Sequence, residues 1–520
     1  MSPYNLAGVL SHHAERFPER PCLLWGEETL TYAELDRRAA RTAAGLRGLN
    51  VGRGDIVAVL LYNCPEFIEV MYALSRIGAI FMPINWRLAG EEVTYIVTHA
   101  GAKLMVSEPE LASLADAVRP HLPGVRFVSV GGAATGWVPF AALRDAGEGP
   151  PIEDVEADDI HRLMYTSGTT ARPKGVMITY ANLYWKNIAH VVEFGITGAD
   201  KGLTCGPLYH VGALDLTMTT LLYAGGAVEV HRMFDAERVL DALEGRGIST
   251  VWLAPAMVNR LLAHPSLEGR DLSGVRLMID GGEKMPLPLI QRILACFPNA
   301  WFADAYGLTE TVSGDTFLDK RRSVEKLGSV GKPCLHVEVA IWDDHDRPAP
   351  AGALGEIVLR GPKVFKGYWK DPEATEAAFR GGWFHTGDVG YLDGDGYLYL
   401  VDRKKDLIVS GGENVASLEV ERVLYEHPAV LEAAVVGRPD ARWGEAPVAF
   451  VALREGAKTT GAELREFCLG RLAKFKVPKD VFFTGSLPRN PSGKVLKRVL
   501  REDVRNRSEG RSSSRDPTHG

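Results

Sequence analysis

The chain has 520 residues, enough for two or more domains with a large core in at least one. It is 46% apolar and 24% charged, which excludes a disordered chain and a fibrous repeat, and a formal net charge of -7 offers no basic patch for nucleic acid. Cys22, Cys64, Cys205, Cys296, Cys334 and Cys468 show no CxxC spacing, which fits reduced thiols in a cytoplasmic protein and neither a zinc site nor a disulfide framework.

The first stretch, MSPYNLAGVLSHHAERFPERP, is too polar for a signal peptide, and the most apolar neighbourhood, Phe67 to Ile84, is interrupted by Glu69 and Arg76 and too short to span a bilayer. TYAELDRRAARTAAGLRGL carries apolar residues at helical spacing, opened by Thr31 and Glu34 in a capping-box pattern. IVAVLLY (56–62) is a nearly unbroken apolar run, the mark of a strand covered on both faces. Helical EFIEVMYALSRIG follows, then a strand to Pro83. This alternation predicts an α/β layer fold with parallel sheet.

YTSGTTARPKGV (165–176) gathers Thr166, Ser167, Thr169 and Thr170 around Gly168, then adds Arg172, Lys174 and Gly175. Hydroxyls, glycine-freed amides and two cations suit a polyphosphate. The standard P-loop has Gly-Lys followed by Ser or Thr; here Pro173 precedes the lysine and Gly175 follows it. IHRLMY before it and VMITY after it read as strands, so the loop joins two strands. A solvated turn is the plainer alternative for such a composition.

NLYWKNIAHVVEF is helical. GLTCGPLYHVGAL (202–214) reads as a strand ending in a turn at Pro207, with His210 just past that end, where open α/β sheets bind ligands. A pocket histidine and a structurally satisfied one are both consistent with this placement. STVWLAPAM is another strand. VRLMIDGGEKMP (275–286) is a strand running into Gly281 and Gly282, either a surface for a flat ring or a tight turn. NAWFADAYGLTETVSGD (299–315) ends a strand on Tyr306, Gly307, Thr309 and Glu310: an aromatic for a base, a threonine for phosphate, and a carboxylate as a hard ligand for Mg2+.

From about Gly328 the pattern turns to strands and turns. DGDG (393–396) reads as a hairpin turn, since the spacing of a calcium loop is missing. Asp388, in HTGD, is placed to accept from ribose hydroxyls. DRKKDLI (402–408) is a charge cluster at an apparent break. Beyond it lies a compact α+β pattern of about a hundred residues, ending in LPRNPSGKVLKRVLRE. The polar SEGRSSSRDPTHG is expected to be a disordered tail.

Taken in order, TSGTTARPKG, YGLTE, HTGD, DRKKDLI with GGEN, and PRNPSGK resemble the adenylate-forming superfamily over residues 5–505. GGENV, RWGE (442–445) and KFKVPK (474–479) look most like its acyl-CoA ligases. The resemblance implies a large N-terminal AMP-binding domain (1–402), a small mobile α+β C-terminal domain (403–507) hinged near Lys405, and a tail from 508 to 520. It implies an ATP-dependent acid–thiol ligase working through an acyl-adenylate, with Mg2+ and coenzyme A, on a fatty or aryl acid. The alternatives are a carrier-protein or amine acceptor, or a small oxyanion such as nitrite in place of the carboxylate. It leaves a homodimer open.

Residue by residue, it places Thr166, Ser167, Gly168, Thr169, Thr170 and Lys174 on the β- and γ-phosphates. Tyr306 falls on the adenine, with Gly281, Gly282 and Glu283 opposite and Asp304, Ala305 and Gly307 beside it. Thr309 falls on the α-phosphate, Glu310 and Thr170 on Mg2+, Asp388 and Arg403 on the ribose, and Lys494 on the adenylation step. His210 and Gly412 fall near the acyl and pantetheine path, with Trp443 and Phe475 as candidates to pack on the CoA nucleotide or to be core aromatics. Departures are Ala171 for a usual glycine, Asp304 for a usual amide, and Ala416–Ser417 after GGEN. None removes a catalytic group.

Overall fold

The computed structural model describes residues 2–132, 135–166, 172–281, 287–320, 322, 324–411, 413–489 and 495–508. The chain forms two compact units, one of Met1–Met285, Leu289–Val339 and Leu359–Phe384, the other of Pro286–Pro288, Ala340–Val358 and His385–Gly520. The expected α/β class, with a large N-terminal and a small C-terminal part, is borne out.

Two sheets build the first unit. Among the described residues, one has eight strands: Gly367–Tyr368, Lys174–Thr179, Ile160–Thr166, Ile80–Pro83, Ile56–Leu60, Leu104–Ser107, Arg126–Ser129 and Val138–Pro139. Its pairings from Ile160–Thr166 to Val138–Pro139 are parallel, and the pairs at the Gly367–Tyr368 edge are antiparallel. Ile56–Leu60 is buried at every position, as its unbroken apolar text requires. The other sheet has nine strands, in the order Lys332–Pro333, Thr316–Phe317, Trp301–Tyr306, Leu277–Gly281, Thr250–Leu253, Lys201–Thr204, Ala227–Val230, Pro21–Trp25 and Glu28–Thr31. Its middle strands are parallel, so the text after Trp301–Tyr306, Leu277–Gly281, Thr250–Leu253 and Lys201–Thr204 emerges at one edge.

Helices cover these sheets. Tyr32–Gly48 is capped by Thr31, whose side chain accepts from Glu34 N; Glu34 itself turns to Arg38 at 2.6 Å. Tyr180–Phe194 carries a full capping box from Thr179 and Asn182. Gly212–Met218, just past His210, is a π-helix, which periodicity does not announce.

The first unit also buries charge. Arg162 Nη1 pairs with Asp215 Oδ2 at 2.6 Å, and both side chains are fully buried. Lys186, also fully buried, donates to Asn187 Oδ1 (2.6 Å), Asp215 O (2.9 Å) and Thr219 Oγ1 (2.7 Å). Burial pushes its ammonium down to about 7.

In the second unit, Trp383–Leu392 and Leu398–Arg403 form the hairpin expected around DGDG, in register from Asp388↔Arg403 to Leu392↔Leu398. The remaining text folds into the expected α+β pattern, with the helices Ser417–Tyr425 and Gly461–Leu469 and the strands Val430–Asp440, Gly444–Leu453 and Asp480–Phe483. A further helix, Lys497–Ser508, goes beyond that pattern: its text is strongly polar, and Leu500 and Val504 are its buried apolar residues. No helix among the described residues is long and apolar enough to cross a membrane.

Arg162→Met leaves Asp215 as a buried carboxylate without its guanidinium and is expected to lower the unfolding free energy by about 3–5 kcal/mol in urea titration. Arg360→Met, which breaks a solvent-screened pair with Glu338, is expected to leave the urea midpoint essentially unchanged.

Candidate active site

The threonine-rich loop does join two strands. Ile160–Thr166 and Lys174–Thr179 are antiparallel and in register from Ile160↔Thr179 to Thr166↔Lys174. Thr166 and Lys174 therefore stand opposite each other at the mouth of the hairpin. Ser167, Gly168, Thr169, Thr170 and Ala171 lie outside the described residues, as do Gly282, Glu283, Gly412 and Lys494. Arg172 lies over the Tyr95 ring, 5.3 Å from its centroid. Gly175 has no room for a side chain: a Cβ there would lie 3.0 Å from Tyr165 Cζ and 3.2 Å from Trp369 Cβ.

The second motif leaves the strand Trp301–Tyr306. Asp304, Ala305 and Tyr306 are buried at its end. Gly307 then runs against the returning backbone, where a Cβ would meet Gly314 N at 2.3 Å. Thr309–Thr311 is one 3-10 turn, carrying Thr309 and Glu310 on its half-exposed face. Val312, Ser313 and Gly314 follow with φ of 55°, 68° and 55°, and Asp315 N closes the loop on Tyr306 O at 2.7 Å. Left-handed backbone at a β-branched residue is strained by roughly 1–3 kcal/mol and persists only where the surroundings fix it.

A short segment, residues 362–369, supplies that fixing and was not singled out in the sequence. Lys363, 1% exposed, donates to Ser313 O (2.5 Å) and Gly314 O (2.7 Å) and pairs with buried Asp315 (2.9 Å). Phe365 N donates to Glu310 O at 2.7 Å, and Tyr368 Oη donates to Glu310 Oε1 at 3.1 Å. The same segment grips the hairpin that carries the threonine-rich loop. Gly367 and Tyr368 pair with Met177 and Val176, Trp369 N donates to Gly175 O at 2.7 Å, and Asn182 Nδ2 holds the carbonyls of Pro362 and Val364. Lys174 Nζ lies 5.0 Å from the centroid of the Tyr368 ring. One tyrosine thus touches the loop's cation with its face and the candidate metal carboxylate with its hydroxyl. Burial and the Glu310 carboxylate push the phenol above its ordinary value, so it stays a donor. The sequence signal is GYW (367–369), which falls within the stretch of strands and turns that follows Gly328.

His210 sits on the turn after Lys201–Thr204. Its Nδ1 accepts from Gly212 N at 3.0 Å, which leaves Nε2 as the protonated nitrogen of the neutral ring. Its ring stacks on Trp252.

The second unit carries its own candidates. Asp388 is buried and faces Arg403 across the hairpin, Oδ1 to Nε 3.5 Å. Gly387, at φ 73°, donates to Glu356 and accepts from Lys404 N. Lys405 is exposed; partial desolvation and then Arg403 hold its ammonium below the ordinary value. The C-terminal helix binds this stretch: Arg501 donates to Lys405 O at 3.2 Å and pairs with Asp406, while Lys497 pairs with Glu421 at 2.8 Å and donates to Ser417 Oγ. Ser417 in turn donates from N and Oγ to Asp402 Oδ2, each at 2.6 Å. Trp443 is 39% exposed beneath Arg442, whereas Phe475 packs against the unit's apolar core.

No cluster of three or more His, Cys, Asp or Glu marks a metal site among the described residues. Glu310 still fits Mg2+ chemically, being a hard oxygen donor that Tyr368 orients. Tyr368→Phe deletes that orienting bond and little else. It is expected to raise the KM for Mg2+–ATP about tenfold while the thermal midpoint stays within a degree or two of the parent's.

Comparison with known proteins agrees with this arrangement. Residues 10–369 match the AMP-binding enzyme family, and residues 419–494 match the AMP-binding enzyme C-terminal domain. A feruloyl-CoA synthase from Amycolatopsis sp. is 41% identical over 488 residues, 94% of this chain and 96% of that protein. The o-succinylbenzoate CoA synthetase of Bacillus subtilis, solved with its acyl-adenylate intermediate, superimposes with a TM-score of 0.86 at 34% identity, covering 95% of this chain and 97% of that one. The same synthetase solved with ATP and magnesium gives 0.85 at 33% identity, over 96% and 99% of the two chains. With a loop hairpin and a YGLTE turn strapped together inside a matched stretch of this length, the chain belongs to the AMP-binding enzyme family.

Proposed function

We propose that the protein is an AMP-forming acid–thiol ligase that joins an aryl acid to coenzyme A. The observation that carries this is the pairing of Lys174 and Glu310 on the two sides of Tyr368, a cation for phosphate beside a carboxylate for a metal. The relatives' acids, ferulate and o-succinylbenzoate, favour an aryl acid over a fatty one.

The substrate carboxylate attacks the α-phosphorus of ATP, giving an acyl-adenylate and pyrophosphate. The thiolate of CoA then attacks the acyl carbon and expels AMP. Two anions have to meet in the first step; at about 4 Å and an effective dielectric of 20 their repulsion is ~4 kcal/mol. Lys174 and Lys494 offset that charge, and Thr309 and Tyr306 hold the α-phosphate and adenine. Bound Mg2+, held by Glu310 and Thr170, would neutralise the departing pyrophosphate. Asp388 and Arg403 take the ribose. The second step needs Lys494 withdrawn and the thiol admitted, which a C-terminal domain of residues 403–507 turning on Lys405 achieves.

Pyrophosphate release that depends on an aryl acid, with a thioester of the right mass when CoA is added, tests the whole reading. AMP formed without any thioester would redirect it to another acceptor. Lys494→Ala is expected to cut acyl-adenylate formation at least a hundredfold while sparing thioester formation from supplied acyl-adenylate; equal loss in both half-reactions would remove the lysine from its role. Lys405→Pro is expected to do the reverse, because proline fixes φ at the proposed hinge. Undiminished thioester formation in that variant would place the hinge elsewhere.

A further inference from the structure

One aromatic beside the His210 turn has no task in this scheme. Trp252, in the strand Thr250–Leu253, is 4% exposed, and its Nε1 finds no hydrogen-bond partner among the described residues. Its ring stacks on the imidazole of His210, centroids 5.9 Å apart and planes 19° from parallel. Two glycines make room for it. A Cβ on Gly212 would lie 2.4 Å from Trp252 Cζ2, and one on Gly206 would lie 2.6 Å from Cζ3.

The sheet register shows what adjoins it. Trp252 lies beside Ile279, and Ile279 beside Ala303; two residues on, Gly281 lies beside Ala305. Side chains alternate along a strand, so all five share one face. Toward the carboxyl ends of these parallel strands the next positions of that face are Gly281 and Ala305, which carry at most a methyl group. Small residues thus follow the indole along that face. The π-helix runs over it, with Gly212 on Trp252 and Leu216 near Gly314, where a Cβ would meet Leu216 Cδ2 at 2.9 Å.

We propose that Trp252 is a specificity-determining residue that lays its indole against a planar ring of the acid and donates Nε1–H to an oxygen substituent on that ring. The inference rests on the acid–thiol ligase reading and deepens it to oxygenated aryl acids. A flat ring gains offset stacking against an aromatic wall that a flexible chain does not. A buried donor left without an acceptor is costly, and a ligand that supplies the acceptor is favoured over one that lacks it.

The test measures kcat/KM by acid-dependent AMP release with ferulate, cinnamate and octanoate. The parent enzyme is expected to prefer ferulate to cinnamate and cinnamate to octanoate. Trp252→Phe keeps a ring and loses the N–H, so the ferulate-to-cinnamate ratio should fall at least fivefold while the cinnamate-to-octanoate ratio holds. Trp252→Leu should lower the second ratio at least fivefold as well. In both variants the KM for ATP should stay within twofold. Gly212→Ala should displace the indole and depress both aryl acids, and Gly212→Ala with Trp252→Leu should recover part of that loss. Ratios unchanged within twofold in an active Trp252→Phe enzyme would overturn the proposal, whether or not Trp252→Leu folds. A parent enzyme that released no AMP with these acids or a wider carboxylic panel would instead sink the ligase reading, and the inference with it.

Discussion

The candidate active site depends on a single buried lysine. Ser313 and Gly314 lie in left-handed backbone, and their carbonyls accept from Lys363 Nζ, which Asp315 neutralises at 2.9 Å. His190 Nε2 adds a contact to Gly314 O at 3.0 Å. Without such a donor, the two buried carbonyls would be unsatisfied and the strain at Val312 unopposed. Because Lys363 starts the segment that also orders Tyr368 and Trp369, fixing the YGLTE turn and fixing the hairpin that carries the threonine-rich loop are one event.

A second buried charge group sits under the first. Asp215 is held by Arg162, four residues before Thr166, and its carbonyl accepts from Lys186 and from Thr220 Oγ1. A backbone oxygen engaged by side chains is released from the α-helical ladder, which is a physical reason for π-helix here. The irregular helix in turn sets where Gly212 and the His210 turn stand against Trp252. Buried ion pairs are weak contributors to stability as such, since desolvation offsets most of the attraction. Their effect here is on geometry: they leave one arrangement in which every charge has its partner.

In the second unit, the helix Lys497–Ser508 begins three residues after Lys494 and ties back to Asp406 and the Lys405 carbonyl through Arg501. Burial alone would lower the Lys497 ammonium, yet Glu421 and Asp402 outweigh it and hold it above its ordinary value. The residues proposed for the hinge and the chain leading from the proposed adenylation lysine are therefore held by one helix of one unit. A turn at Lys405 moves them together.

Chemistry written as short contiguous text was legible in the sequence. TSGTTARPKG, YGLTE and HTGD each stand out by residue type as candidates, because a loop's hydroxyls, glycines and charges act from wherever the backbone puts them. A strand was legible too: Ile56–Leu60 reads as an unbroken apolar run, since burial on both faces dictates its composition. What only the tertiary structure decided was partnership at long range. Lys363 with Ser313, Arg162 with Asp215, Tyr368 with Glu310 and Lys174, and Trp252 with Gly212 are joined across 40 to about 200 residues of chain. Lys363, Tyr368, Trp252 and Gly212 read alone as an ordinary surface lysine, core aromatics and a turn glycine. A side chain's role there is set by what the fold brings to it, and local pattern carries no record of that.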